Sequence, residues 1–371
     1  MKWKILHIII AVSLMVTGCT DSADEHSDNE KSRQEHELRL TMGMPQLQNA
    51  TRALPDGFTA YTYNAKAPIN QIVGFMIPIS DNLSPSFDKQ VTCHFIYEEG
   101  SHVWRTKAYL ADGNYYFYGY MPNVSASSVS VTSPTSSGGN AVITLTGLNA
   151  AMPDDISVIE GVKPYSGSTL PDMSDAIGRF DYNASNNPVD NFYVLASHIY
   201  SALGINMKID KDYAKLRTIK LRSISLTPYD ASDKVAKKID ATITINHRGE
   251  SDLETAVSVA FATSSETTTS SPAVLYGVEG KELTTTGEEF LACLCPNLST
   301  DTKYVMETHY DVYDKEDNLI RENQSAQNTL TTLPQLTRGT KHVVNITVNP
   351  TYLYVLSDPD LDNPTFKISS P

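Results

Sequence analysis

The chain has 371 residues, 40% of them hydrophobic and 19% charged, enough apolar material for more than one globular core. A net charge of -14 argues against nucleic acid as a partner, because its phosphates would be repelled. Twenty tyrosines against ten phenylalanines, abundant Thr, Ser, Val and Ile, and few long helical periods point to an all-β protein.

The N-terminus reads as a targeting device. Lys2 and Lys4 give a positive start, and Ile5 to Val16 give an apolar stretch too short for a permanent membrane span. The following Val16-Thr17-Gly18-Cys19 resembles the lipobox of bacterial lipoproteins. That likeness implies a signal peptide over 1–18, cleavage before Cys19 and lipid on its sulfur, with the acyl chains as membrane anchor. The competing reading is an ordinary signal peptide with an incidental cysteine. Thr20 stands where inner-membrane lipoproteins carry Asp, which favours the outer membrane. Thr20 to Glu37 is polar and free of aromatics, and reads as a tether.

Leu38, Leu40, Met42 and Met44 then alternate strictly, the mark of a strand with one buried face, which suits a removable first strand or an ordinary edge strand of the first sandwich. A polar loop follows and contains Arg52-Ala53, accessible to an arginine-specific protease. The spacing predicts further strands at Val73–Ile79, Val91–Tyr97, Val103–Ala111, Tyr115–Tyr120 and Ala141–Leu148, with Asp112-Gly113 as a two-residue hairpin turn. Met152 to Asn187 reads as a long irregular connection, and a domain boundary is set there, at Pro188. Asn191 to Leu203 suits either a short helix or a buried strand. Leu216 to Thr227 alternates but switches face near Ser223, which predicts a bulge. Ile239–Ile245, Ala256–Ala262, Phe290–Cys295 and Tyr304–Tyr313 are further strands, and Asp314 to Asn318 is a polar turn.

The C-terminal stretch holds three extended runs: Val344–Val348, Tyr352–Leu356 and Thr365–Ser369, separated by Pro350, Pro359 and Pro364. An end of this kind is a candidate for adding a strand to another molecule. Cys93, Cys293 and Cys295 read as small buried thiols, with a Cys93 bridge to either of the other two as the alternative. Asp358, Asp360 and Asp362 fail as a calcium loop, since Asn363 and Ser369 stand at the positions that need Gly and Glu. No catalytic, metal or cofactor motif is found, so the expectation is a protein that is not an enzyme.

Several of these features together resemble the fimbrillin family, subunits of the protease-assembled type V pili of Bacteroidales. The resemblance rests on Val348-Asn349-Pro350-Thr351-Tyr352-Leu353-Tyr354-Val355-Leu356-Ser357-Asp358-Pro359-Asp360-Leu361-Asp362-Asn363-Pro364, on the aromatic run Tyr115 to Pro122, and on the order of lipobox, tether, first strand and Arg52-Ala53. With roughly seven strands per half, the chain fits two β-sandwich domains in tandem, over 53–188 and 189–371; the resemblance implies that they are transthyretin-like and lie behind a lipid-anchored propeptide at 19–52. It also implies cleavage after Arg52, loss of the strand carrying Leu38, Leu40, Met42 and Met44, and filling of the groove by a neighbour's C-terminal strand. Tyr352, Leu353, Tyr354, Val355, Leu356, Phe366 and Ile368 are the candidate donor residues. The implied partners are other pilus subunits, an Arg-specific protease and, through the precursor's lipid, the outer membrane; no cofactor is implied. Four apolar side chains would leave a groove of roughly 6–12 kcal/mol at ~1.5–3 kcal/mol each, an upper bound. A stalk subunit is the expected role, with tip or anchor as rivals. From another class, a surface glycan-binding lipoprotein would use its tyrosines to stack on sugars.

Overall fold

The computed structural model describes residues 34–44, 48–49, 59–60, 71–79, 90–98, 103–121, 128–132, 140–165, 178–182, 191–245, 257–278, 280–296, 302–330, 336–351 and 360–369. Cys19, Arg52, Ala53 and the run Tyr352, Leu353, Tyr354, Val355, Leu356 lie outside them, as do the side chains of Met42 and Met44.

In chain order the strands are β1 (Gln34–Met44), β2 (Gln48–Asn49), β3 (Thr59–Ala60), β4 (Gln71–Ile79), β5 (Val91–Glu98), β6 (Val103–Leu110), β7 (Gly113–Met121) and β8 (Ser128–Thr132). There follow β9 (Ala141–Leu148), β10 (Ala151–Met152), β11 (Ser157–Pro164), β12 (Arg179–Tyr182), β13 (Asn191–His198), β14 (Ser201–Ile209), β15 (Thr218–Tyr229) and β16 (Ile239–Ile245). The last are β17 (Val257–Thr263), β18 (Ala273–Tyr276), β19 (Lys281–Glu282), β20 (Glu288–Leu294), β21 (Lys303–Tyr313), β22 (Leu319–Leu330), β23 (Thr340–Thr351) and β24 (Asp360–Ser369). The protein is all-β; the described helical element is one 3-10 turn, Tyr213–Lys215.

The described strands form four sheets. The largest runs β11-β13-β1-β6-β5-β4-β7-β12, and β11 also pairs with β7, so seven of its strands close a ring. Leu38, Leu40, Phe95, Trp104, Phe117 and Phe192 fill the interior of that ring. A second sheet, β17-β16-β9-β8, covers part of its outside. This explains the aromatic run: Tyr115 and Phe117 point into the ring, while Tyr116, Tyr118 and Tyr120 join the core under the covering sheet. A strand buried on both faces reads as continuously apolar. The other two sheets are β10-β20-β14-β23-β2 with β24, and β18-β15-β21-β22 with β19. They share a core that includes Ile205, Met207, Leu221, Tyr310 and Phe366.

The pairings correct several expectations and bear out others. Asp112-Gly113 does not close a hairpin, because β7 pairs with β4 and not with β6. It turns an arch instead, with Gly113 at φ 146 and the Tyr115 hydroxyl donating to the Ala111 carbonyl at 2.8 Å. The stretch read as irregular after Met152 contains β11 and β12, both paired with β7. Asn191 to Leu203 is two strands: β13 lies in the ring and β14 in the next sheet. The bulge expected near Ser223 is present, as a register shift between Leu221 and Ser223. Cys93, Cys293 and Cys295 are buried thiols, not disulfides. Cys93 faces the ring interior and the other two face the core under the covering sheet. Strands on both sides of Pro188 share sheets, since β13 pairs with β1 and β16 pairs with β9.

Gly74 of β4 marks a tight point of the ring. A Cβ there would lie 2.9 Å from the Phe95 ring and 3.0 Å from that of Phe117. Gly74→Val is therefore expected to destabilise the protein by about 1–3 kcal/mol, read as a lower midpoint in urea unfolding.

Candidate functional site

The alternation of β1 is realised in three dimensions. Leu38 and Leu40 point into the ring and are each 1% exposed. Their seats are bounded by Met76, Phe95, Phe117, Val162, Phe180 and Phe192. The intervening residues face outward, where Arg39 Nε donates to Glu37 Oε1 at 2.7 Å. Arg105 of β6 lies 3.5 Å from the same Glu37 oxygen and 2.6 Å from Glu98 Oε2 of β5. This outer ladder is largely solvent-exposed, so it contributes little to stability and mainly defines which face is polar.

β1 is an interior strand. It runs antiparallel to β6 from Gln34↔Leu110 to Leu40↔Trp104, and parallel to β13 from Arg39↔Asn191 to Gly43↔Leu195. No pairing joins β6 to β13 among the described residues, so β1 is the stave between them. Taking it away would leave two open backbone edges and two vacant leucine seats, the latter roughly 3–6 kcal/mol at ~1.5–3 kcal/mol per side chain. Beyond β1, β2 pairs with Thr340 and Lys341 of β23, so the same N-terminal segment touches both the ring and a sheet of the other core.

At the other end of the chain, β23 is held between β14 and β24. Among the described residues β24 pairs with β23 alone and is an edge strand. Phe366 is 5% exposed and its ring lies 4.9 Å from that of Tyr310. Ile368, two residues on, is 44% exposed. Side chains from other elements hold β24 down. Arg217 donates to Asp362 Oδ1 at 2.9 and 2.7 Å, the Tyr213 hydroxyl donates to the Leu361 carbonyl at 2.6 Å, and Asn328 Nδ2 donates to the Phe366 carbonyl at 2.8 Å. Sequence reasoning missed this docking, because Arg217 and Asp362 are 145 residues apart.

Asp155 pairs with His198, and Ser157 lies opposite His198 in the β11–β13 pair. Ser157 is fully buried. Burial raises the Cys293 and Cys295 thiols well above their usual range, which disfavours the thiolate. Tyr115, Tyr116, Tyr118, Tyr120, Tyr200 and Tyr310 are buried, which removes them from any role in stacking on a sugar.

The chain is similar to several solved structures. They include a candidate cell adhesion protein of Bacteroides fragilis (10% identity, TM-score 0.41, covering 90% of this chain and 97% of that one) and a fimbrial protein of Bacteroides vulgatus (13%, 0.38, 89% and 98%). A candidate cell adhesion protein of Bacteroides uniformis is a third (13%, 0.37, 90% and 97%). No protein-family model and no curated protein matches the sequence.

Truncation of a β1 side chain should be costly while β1 is in place. Leu38→Ala is expected to lower the stability of the full-length protein by about 2–5 kcal/mol, measured by urea unfolding, whereas Arg39→Ala on the outer face should change it by less than about 1 kcal/mol.

Proposed function

We propose that this protein is a structural subunit of a surface filament, exported as a lipoprotein on Cys19, trimmed after Arg52 and polymerised by strand exchange. The observation that carries this reading is the interior position of β1 between β6 and β13. A strand at a sheet edge could be lost with little consequence. An interior strand whose loss opens two edges and an apolar slot creates a site that only another strand can fill. Until trimming, β1 occupies its own slot and blocks premature assembly. A donor at one end and an acceptor at the other make a heterologous contact that does not close on itself, which is the symmetry of a filament.

In this reading the precursor is held at the outer membrane by its lipid, an Arg-specific protease is its processing partner, and the trimmed subunit joins others like it as a stalk. Arg39 is a poor cleavage site, since it lies inside the paired interior strand. The test is the N-terminus and mobility of the protein taken from the cell surface. A start at Ala53 with a ladder that collapses on boiling is expected. A single band still beginning at lipidated Cys19 would overturn the stalk assignment.

A further inference from the structure

We propose that the covering sheet β17-β16-β9-β8 is a lateral self-association surface, on which β8 of one copy pairs antiparallel with β17 of the next. This stands apart from strand exchange, since neither strand belongs to the ring, to the segment before Arg52 or to the C-terminal runs.

An open sheet edge offers unpaired backbone N–H and C=O groups, and proteins ordinarily blunt it with charge. The edges of the other sheets follow this rule. β22 carries Arg321 and Glu322, β12 carries Arg179 and Asp181, and β24 carries Asp360, Asp362 and Lys367. β18 is uncharged, but it has four residues and shares its side of β15 with Lys281 and Glu282 of β19. β8 and β17 break the rule. Among the described residues β8 pairs with β9 alone and β17 with β16 alone. In a chain that is 19% charged, Asp, Glu, Lys and Arg are all absent from 113–153 and from 255–265, which contain both strands. The charge that the sheet does hold, Asp240 of β16, is turned to its own backbone and accepts from Gly147 N at 2.9 Å. Copies of a protein with a net charge of -14 repel one another least along such edges.

The two edges also fit each other, which points to a second copy as the occupant. Four strands paired antiparallel throughout leave β8 and β17 running in opposite directions, so a copy added side by side continues the sheet antiparallel. Rows run straight across it. Ser130, Thr144, Thr242 and Ala260 form one row on the outer face, and Val131, Ile143, Ile243 and Val259 form the next on the inner face. A residue in an antiparallel strand points its N–H and C=O to the same side, so bonded and non-bonded pairs alternate along a row. Over four strands the alternation returns to phase. Ser130 then meets Ala260 of the next copy, and Val131 meets Val259, with no bulge needed. In the same register Val129, 38% exposed in the single chain, meets Phe261 of the next copy.

Sedimentation of the untrimmed protein tests this, because β1 still fills its place in the ring there. Association that grows with concentration is expected. Ser130 and Ala260 are both exposed, so charges placed on them leave the fold intact. Ser130→Lys/Ala260→Lys sets like charges opposite each other and should weaken association by about fivefold or more, with the monomer melting like the parent. Ser130→Glu/Ala260→Lys should restore it, because each glutamate then faces a lysine of the next copy. If either pair impairs folding, the same exchanges at Thr132 and Ser258, which are exposed in the next outer row, read the same register. A protein that stays monomeric at its highest soluble concentration, as when another segment of the chain covers these edges, would overturn the proposal. So would association that the lysine pair leaves unchanged, which puts the contact elsewhere, or that the glutamate–lysine pair fails to restore, which excludes β8 against β17. None of these outcomes bears on trimming or strand exchange.

Discussion

The ring depends on one requirement: every strand in a closed sheet must be hydrogen-bonded along both edges. β1 meets that requirement for two neighbours at once, antiparallel to β6 and parallel to β13. The parallel partner β13 lies far along the chain from β1, so closure joins distant parts of the sequence. The interior packing follows from the same placement, because Leu38 and Leu40 complete an aromatic interior that includes Phe95, Phe117, Phe180 and Phe192.

The two cores are joined through shared walls. β20 and the residue after it turn Phe290, Ala292 and Leu294 into one core and Cys293 and Cys295 into the other. β13 passes through Ile199 and Tyr200 directly into β14, so consecutive strands belong to different sheets. Backbone and side-chain bonds tie this crossing down: Ile199 N to Ile156 O, Tyr200 N to Asp155 Oδ1, and Gly339 N to Tyr200 O. A cut placed at Pro188 from loop composition does not see these long-range pairings.

Alternation was legible wherever one face is buried and the other wet, as in β1, β15 and β16, and there strands and even the bulge beside Arg222 could be read from the residues. It failed in two physical situations. β22 is polar along nearly its whole length, because both faces of its first half are exposed, and it carries no period to detect. β11 hides behind Gly161, where the register shifts and the alternation breaks. The interior position of β1 was also beyond reach: the same apolar period suits an edge strand and an interior one, and only the pairing with β13 distinguishes them. The docking of β24 depends on Arg217 and Asn328, which no local pattern links to it.

The most direct measurement is amide hydrogen exchange on the protein before and after trimming at Arg52, at a dilution that keeps it monomeric. If β1 is the stave that closes the ring, the amides of 103–110 and 191–198 should lose protection on trimming while those of 218–229 and 303–313 keep theirs. Unchanged protection in 103–110 and 191–198 after β1 has gone would contradict its role as the strand that holds the ring closed.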